Sequence, residues 1–178
     1  MSDMREMQMH GVTSISQRVR AGLGFVDCIG AWIGLLGLRL ILGWEYFESG
    51  LMKYRGENWF EHVRENFPFP FDLVPTAISW QMATWFELIG GIALAIGLAT
   101  RFFGVSLFVL TIVAIAAVHW PAQWSTLGEL LQGYSLSDNG FGNYKLALIF
   151  MVMLLPLIFS GPGRLSFDAW LRRRFLGD

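Results

Sequence analysis

Long apolar stretches separated by short polar connections dominate this chain, a pattern typical of helices that lie in a bilayer. A helix needs roughly 20 apolar residues to cross the hydrocarbon core, and four stretches come close. They cover residues 28–52, 78–98, 102–120 and 144–160. The third is the most clearly apolar, because it carries no charged residue before His119. The pattern therefore predicts an all-α, integral membrane four-helix bundle.

The predicted domain organisation follows from these spans. Residues 1–27 precede them, residues 28–160 form a domain of four transmembrane helices, and residues 161–178 form a basic tail. The second and third spans are separated only by the turn at Ala99 to Arg101, which predicts an antiparallel helical hairpin.

The connection over residues 53–77 is long enough to hold structure of its own. Its apolar side chains alternate with charged ones, and the apolar set is Trp59, Phe60, Val63 and Phe67. This spacing favours either a short amphipathic helix at the membrane interface or a solvated turn.

The distribution of lysine and arginine predicts the orientation, because positively charged loops stay in the cytoplasm. One side of the predicted bundle carries Arg5, Arg18, Arg20, Arg101, Arg164, Arg172, Arg173 and Arg174. The other side has fewer basic residues, and they are offset by acidic ones. Both termini are therefore expected to be cytoplasmic.

Composition narrows the function classes. Apolar residues make up 54% of the chain and charged residues 15%, with a formal net charge of −1, which argues against a disordered protein or a nucleic-acid binder. Cys28 is the single cysteine, so an internal disulfide or a cysteine-based metal centre is excluded. The sequence has no phosphate-binding glycine motif and no pair of histidines at a shared depth. We therefore expect no haem, flavin, nucleotide or metal site.

Charged residues inside the predicted spans are the main candidates for function, because a charge at membrane depth is costly. Arg39 and Glu87 each lie about 14–17 Å from the expected outer boundary, so they are candidates to form a buried pair. Such a pair can be a packing salt bridge alone, or it can form a polar pocket that binds a head group or relays protons.

A second polar group gathers towards the same membrane boundary. Glu45, Glu48 and Lys53 lie near the end of the first span, and His119 ends the third. Tyr46 shares the helix face of Arg39 and Lys53. Glu45 and Glu48 can relay protons or simply face water, and His119 can be a ligand or an ordinary interfacial residue. We expect Ser106 and Thr111 to bond back to their own helix.

Three segments resemble the DoxX family of small membrane proteins. Arg39, Gly43, Gly50 and Lys53 reproduce its R-x3-G-x6-G-x2-K spacing. Residues 87–101 resemble its second-helix signature, and residues 161–168 its closing segment. The acids Glu45 and Glu48 and the long connection over residues 121–143 depart from the family pattern.

The resemblance implies a four-helix, multi-pass protein of a bacterial-type inner membrane. The family takes its name from a subunit associated with quinol oxidation and thiosulfate:quinone oxidoreduction, and relatives are linked to redox-stress complexes or to maturation of copper-binding peptides. The resemblance marks Arg39, Gly43, Gly50, Lys53, Glu87, Gly90, Gly91, Gly97 and Arg101.

Two functional hypotheses follow. In the first, the protein is a quinone-linked redox subunit whose pocket is formed by Arg39, Tyr46, Lys53, Glu87 and His119, with Glu45 or Glu48 passing protons outward. Its partners would be the lipid bilayer and another membrane or redox protein that supplies electrons. In the alternative, it is a non-enzymatic accessory or assembly subunit of a larger membrane complex.

Overall fold

The computed structural model describes residues 29–175 together with Gly22, Gly24 and Gly177. Of the predicted segment 1–27, only Gly22 and Gly24 are described. Its other residues and Cys28 lie outside the described residues. Three of the arginines used to predict orientation, Arg5, Arg18 and Arg20, also lie outside them. Throughout the described part the regular structure is helical, without a β-strand, so the all-α prediction is confirmed.

Six α-helices follow one another within residues 29–175. They are α1 (Leu35–Arg55), α2 (Thr76–Ile96), α3 (Thr100–Ala114), α4 (Leu127–Gln132), α5 (Lys145–Phe159) and α6 (Phe167–Phe175). A π-helical turn precedes α1 (Gly30–Gly34), and another extends α3 (Ile115–His119). The basic tail, predicted only as a segment, thus contains the helix α6.

The four longer helices pack side by side in a ring. Helix α1 contacts α2 and α5, and α3 contacts the same two helices. Their shared core consists of Leu42, Tyr46, Leu94, Leu107, Leu154 and Leu157. We call the end of this bundle near Arg55 and His119 the His119 end, and the opposite end, at the connection between α2 and α3, the turn end.

The connection between α2 and α3 is the predicted tight turn. Gly97 ends α2 with a left-handed backbone, φ +73°, and the Leu98 N–H donates to the Ala93 carbonyl at 2.8 Å. Away from the turn, Gly90 of α2 lies against Leu107 and Phe103 of α3, so the two helices are antiparallel neighbours.

Glycines let α1 and α2 approach closely. A Cβ atom on Gly91 would lie 2.7 Å from the Gly43 carbonyl oxygen and 2.7 Å from the Phe47 backbone nitrogen. A Cβ atom on Gly50 would lie 2.7 Å from the backbone nitrogen of Leu88. These contacts fix the register of the two helices, because backbone atoms cannot move aside as a flexible side chain can.

The outward faces of the bundle are apolar. On α2 the exposed side chains repeat every three or four residues: Ile78, Met82, Trp85, Ile89, Ile92 and Ile96. On α3 a similar stripe is formed by Phe102, Val105, Val109 and Ile112. Such extended apolar faces are unusual on a soluble monomer.

One described helix is long and apolar enough to cross a membrane. It runs over Thr100–His119, with a mean hydropathy of 2.3 over its most apolar window, and Lys145–Phe159 is apolar but shorter. The third predicted span is therefore the one that satisfies both the length criterion and the hydropathy criterion. For all four spans, crossing a membrane stays a prediction.

An aromatic cap covers the His119 end of the bundle; we use this name for residues 59–74. It contains two 3-10 helices, Phe60–Asn66 and Phe71–Leu73. Phe60 and Phe67 are buried with Trp80, Ala83 and Ala117 in a second core. The amphipathic alternative is therefore the better description of this segment, with its apolar side chains packed on the bundle.

A C-terminal clasp, residues 161–168, closes the turn end. The Arg39 Nη2 donates to the Leu165 carbonyl, and the Asp168 N–H donates to the Gly97 carbonyl at 2.9 Å. The Asp168 carboxylate accepts the N–H groups of Ala99 at 2.7 Å and Thr100 at 2.9 Å, so it caps α3.

The glycine contact makes a stability prediction. We expect Gly91→Ala to destabilise the purified protein by about 1–3 kcal/mol, because the new Cβ atom meets backbone on α1. Thermal unfolding in detergent measures the loss. The control is Gly37→Ala on α1, which has open space at its Cβ position and should keep full stability. Equal stability of both variants would contradict the close packing.

Candidate functional site

A buried ion pair joins α1 to α2. The Lys53 Nζ lies 2.7 Å and 3.0 Å from the two carboxylate oxygens of Glu87, and 2.9 Å from the Ser49 hydroxyl oxygen. Ser49 and Lys53 are four residues apart, so they share one face of α1. The two charged side chains are only 16% and 5% exposed. The ammonium group thus donates to three oxygen atoms in a largely dry environment.

The predicted pair between Arg39 and Glu87 is wrong. Arg39 lies against Gly97 at the turn end, ten residues along α2 from Glu87 and about 15 Å away along the helix axis. The predicted pairing requires the first two spans to end level with each other. In the structure, the end of α1 lies beside the middle of α2, because Lys53 contacts Glu87, eleven residues after Thr76.

Arg39 belongs to the C-terminal clasp. Its side chain is 1% exposed, and Nη2 reaches the Leu165 carbonyl. Within the described part of the chain, its Nε and Nη1 atoms have no hydrogen-bond partner. Gly97 matters here for space as well as for its backbone angle, since a Cβ atom would overlap the Arg39 Nη1 atom.

The ion pair borders a large apolar cavity of about 640 Å³, which we call the apolar cavity. Its walls come from α1, α2, α3 and the aromatic cap, and they include Met82, Phe86, Val105, Val109, Phe60 and Phe71. Ser49, Lys53 and Glu87 supply a polar patch in this lining. A mostly apolar wall with a few convergent polar groups is the usual form of a small-molecule site.

A second cavity of about 420 Å³ adjoins the first; most of its wall is apolar, and we call it the polar cavity after the polar side chains within that wall. Glu45, Tyr46, Thr111 and Asn143 are among the residues that line it. Ser49, Glu87 and His119 line both cavities, together with Leu110 and Ala114. Glu87 therefore lies in the wall that the two cavities share.

Hydrogen bonds hold two polar side chains of this region in place. The Tyr46 hydroxyl lies 2.7 Å from the Thr111 hydroxyl, which itself donates to the Leu107 carbonyl, so Tyr46 is the donor. His119 Nδ1 lies 2.7 Å from the amide oxygen of Asn143, so Nδ1 donates and Nε2 is left to other partners. The predicted bonds of Ser106 and Thr111 to their own helix are confirmed.

The structure brings together most of the predicted site residues, although not around Arg39. Glu45, Tyr46, Lys53, Glu87 and His119 surround the two cavities. Glu48 is exposed and lines neither cavity.

Sequence reasoning missed two residues of the site, Ser49 and Asn143. The four-residue spacing between Ser49 and Lys53 could have indicated the first, since it places both side chains on one helix face. Nothing in the local sequence indicates that Asn143 reaches His119, because the bond spans 24 residues.

The ion pair makes a second stability prediction. We expect Lys53→Met to destabilise the protein by about 3–5 kcal/mol, because it leaves the Glu87 carboxylate buried without its charged partner. The double variant Lys53→Met/Glu87→Met should recover most of this loss, since it leaves no charge behind. Thermal unfolding of wild type, both single variants and the double variant in detergent measures the coupling. Additive losses would show that the two groups do not interact.

Comparison with known proteins gives the family. The sequence model of the DoxX family matches residues 34–120, a range that includes both halves of the ion pair. A protein of Haemophilus influenzae described as uncharacterized is 43% identical over 151 residues, which cover 83% of this chain and 91% of that protein. No solved structure matches. The DoxX family is membrane-associated, in agreement with the candidate membrane helix Thr100–His119. The chain therefore belongs to the DoxX family.

Proposed function

We propose that this protein is a quinone-linked redox subunit of a bacterial-type inner membrane, in which α1, α2, α3 and α5 all cross the bilayer. The observation that carries the proposal is the buried ion pair of Lys53 and Glu87 at the wall of the apolar cavity. A quinone has a flat apolar ring with carbonyl oxygens, and this site offers an aromatic, apolar wall beside hydrogen-bond donors.

The residues of the site have distinct roles in this proposal. When quinone binds, one N–H group of the Lys53 ammonium exchanges its Ser49 partner for a quinone carbonyl oxygen, and Glu87 carries protons to and from that oxygen. Reduction of a quinone to a quinol takes two electrons and two protons. A partner redox protein supplies the electrons, and the protons arrive through Glu87.

The polar cavity supports a route for these protons. Glu87 lies in the wall between the two cavities, so protons can reach it from the polar side while the ring occupies the apolar side. Glu45 and His119 line the polar cavity, and Asn143 holds the His119 ring in a fixed orientation. They are the residues that we propose to relay protons towards the His119 end.

Charge and surface character support the membrane placement. The apolar stripes on α2 and α3 suit contact with lipid. The turn end carries Arg101, Arg164 and the three arginines of α6, which suits the cytoplasmic face under the positive-inside rule. Both termini are then cytoplasmic, and the aromatic cap lies on the opposite side.

Retention of a native quinone tests the proposal. Wild-type protein, purified gently from its own membrane, should carry a quinone that mass spectrometry detects. Glu87→Gln should reduce the retained amount about tenfold or more, because a neutral amide no longer holds the Lys53 ammonium in the position from which it donates to the quinone. The matched control is Glu65→Gln on the aromatic cap, an exposed acid that lines neither cavity.

The same preparation can contradict the proposal. Wild-type protein that holds no quinone, together with a stoichiometric larger partner chain, would favour the accessory or assembly subunit instead. If Glu87→Gln retained as much quinone as wild type, the ion pair would not be part of the quinone site.

A further inference from the structure

The apolar cavity reaches the lipid-facing surface of the bundle. On α2, Met82 belongs to the exposed apolar stripe and also lines the cavity. On α3, Val105 and Val109 do the same, whereas Phe102 and Ile112, the stripe residues on either side, do not line it. The cavity therefore opens sideways, between the outward faces of α2 and α3.

This lateral mouth lies at the depth of the hydrocarbon core. Val109 is the tenth residue of the 20-residue helix Thr100–His119, about 15 Å from either end. The hydrocarbon core is about 30 Å thick, so a helix that crosses it places Val109 near the bilayer centre. What meets the mouth there is lipid tail and not water.

Packed aromatic rings cover the cavity towards the His119 end, where the lining residues Met52 and Trp59 are 66% and 39% exposed. Phe60 and Phe67 of the aromatic cap are 8% and 9% exposed, and the Phe60 ring lies 5.0 Å from that of Trp80. A ligand that entered past Phe60 and Phe67 would have to displace this second core, whereas one that entered between α2 and α3 meets the side chains of Met82, Val105 and Val109. Ser106, the polar residue beside the mouth, has its hydroxyl bonded to the Phe102 carbonyl at 2.9 Å.

From this geometry we infer that the ligand is a lipid-soluble, single-tailed amphiphile that enters through the cleft between α2 and α3. Its polar ring lies at Lys53 and Glu87, and its tail leaves between Met82 and Val109 into the hydrocarbon region. The inference rests on the proposed function for the identity of the ring. It adds the route of access and the requirement for a tail.

Narrowing the mouth tests the route. Val109→Trp should weaken binding of decylubiquinone about tenfold or more, because the indole occupies the space through which the tail passes. The matched control is Ile112→Trp, three residues further along the same exposed stripe but outside the cavity lining, and it should bind as wild type does. A second blocking variant, Met82→Trp, acts from the opposite side of the mouth.

Binding is measured by mass spectrometry as the amount of quinone that washed lipid nanodiscs retain per protein, with decylubiquinone and with the same ring lacking its tail, so the added tryptophans do not enter the readout. Partition into lipid is common to all variants, so ratios between variants report the site. Gel filtration confirms that each variant is folded. Wild type should bind the tailed quinone more tightly, and the blocking variants should lose this preference.

The outcomes separate the two proposals. Wild type that binds neither quinone would overturn the proposed function. Wild type that binds both equally, with Val109→Trp unchanged, would overturn the lateral route and leave the quinone site standing. If Val109→Trp weakened the binding of both quinones equally, the indole would occupy the site of the ring. That result would also overturn the assignment of Val109 to a tail channel.

Discussion

The close contact between α1 and α2 is the constraint on which the rest of the structure depends. Where Gly43 faces Gly91 and Gly50 faces Leu88, the two glycines of α1 lie directly against backbone atoms of α2, and these contacts fix the register of the two helices. That register offsets α1 against α2 and places Lys53 beside Glu87. Because α1 ends partway along α2, it leaves space near the His119 end, and the aromatic cap and the two cavities occupy that region.

The two buried basic residues of α1 have different partners and different consequences. Arg39 is bound to the backbone of the C-terminal clasp, where Gly97 gives it room and Asp168 caps the next helix. One end of each DoxX-like segment meets here at the turn end: Arg39 of the first, Gly97 of the second and residues 165–168 of the third. Lys53 instead donates to a carboxylate at the wall of a cavity. A charge beside open space can bind a ligand, whereas a charge enclosed by backbone mainly holds the chain in place.

Glu87 is the residue through which packing and chemistry are connected. It takes part in the interhelical ion pair, and it borders both an apolar and a polar cavity. A single carboxylate with this position can contact an apolar ligand on one side and exchange protons with a polar compartment on the other. The same placement makes the pair costly to disrupt, because removal of Lys53 leaves a buried charge unpaired. Stability and proposed function therefore depend on the same two side chains.

The sequence by itself determined the helical class, the hairpin at Ala99 to Arg101, the glycine faces and the set of buried charges, because hydrophobic runs and helical periodicity are local properties of the chain. It also placed Tyr46, Lys53, Glu87 and His119 in one candidate group by helix face and depth, but that group included Arg39. It did not determine which charges pair. The axial offset of α1 against α2 decides that Glu87 meets Lys53 and not Arg39, and this offset comes from interhelical packing. The bond between His119 and Asn143, the docking of the aromatic cap and the sideways opening of the cavity were likewise decided by the tertiary structure, because each depends on segments far apart in the chain.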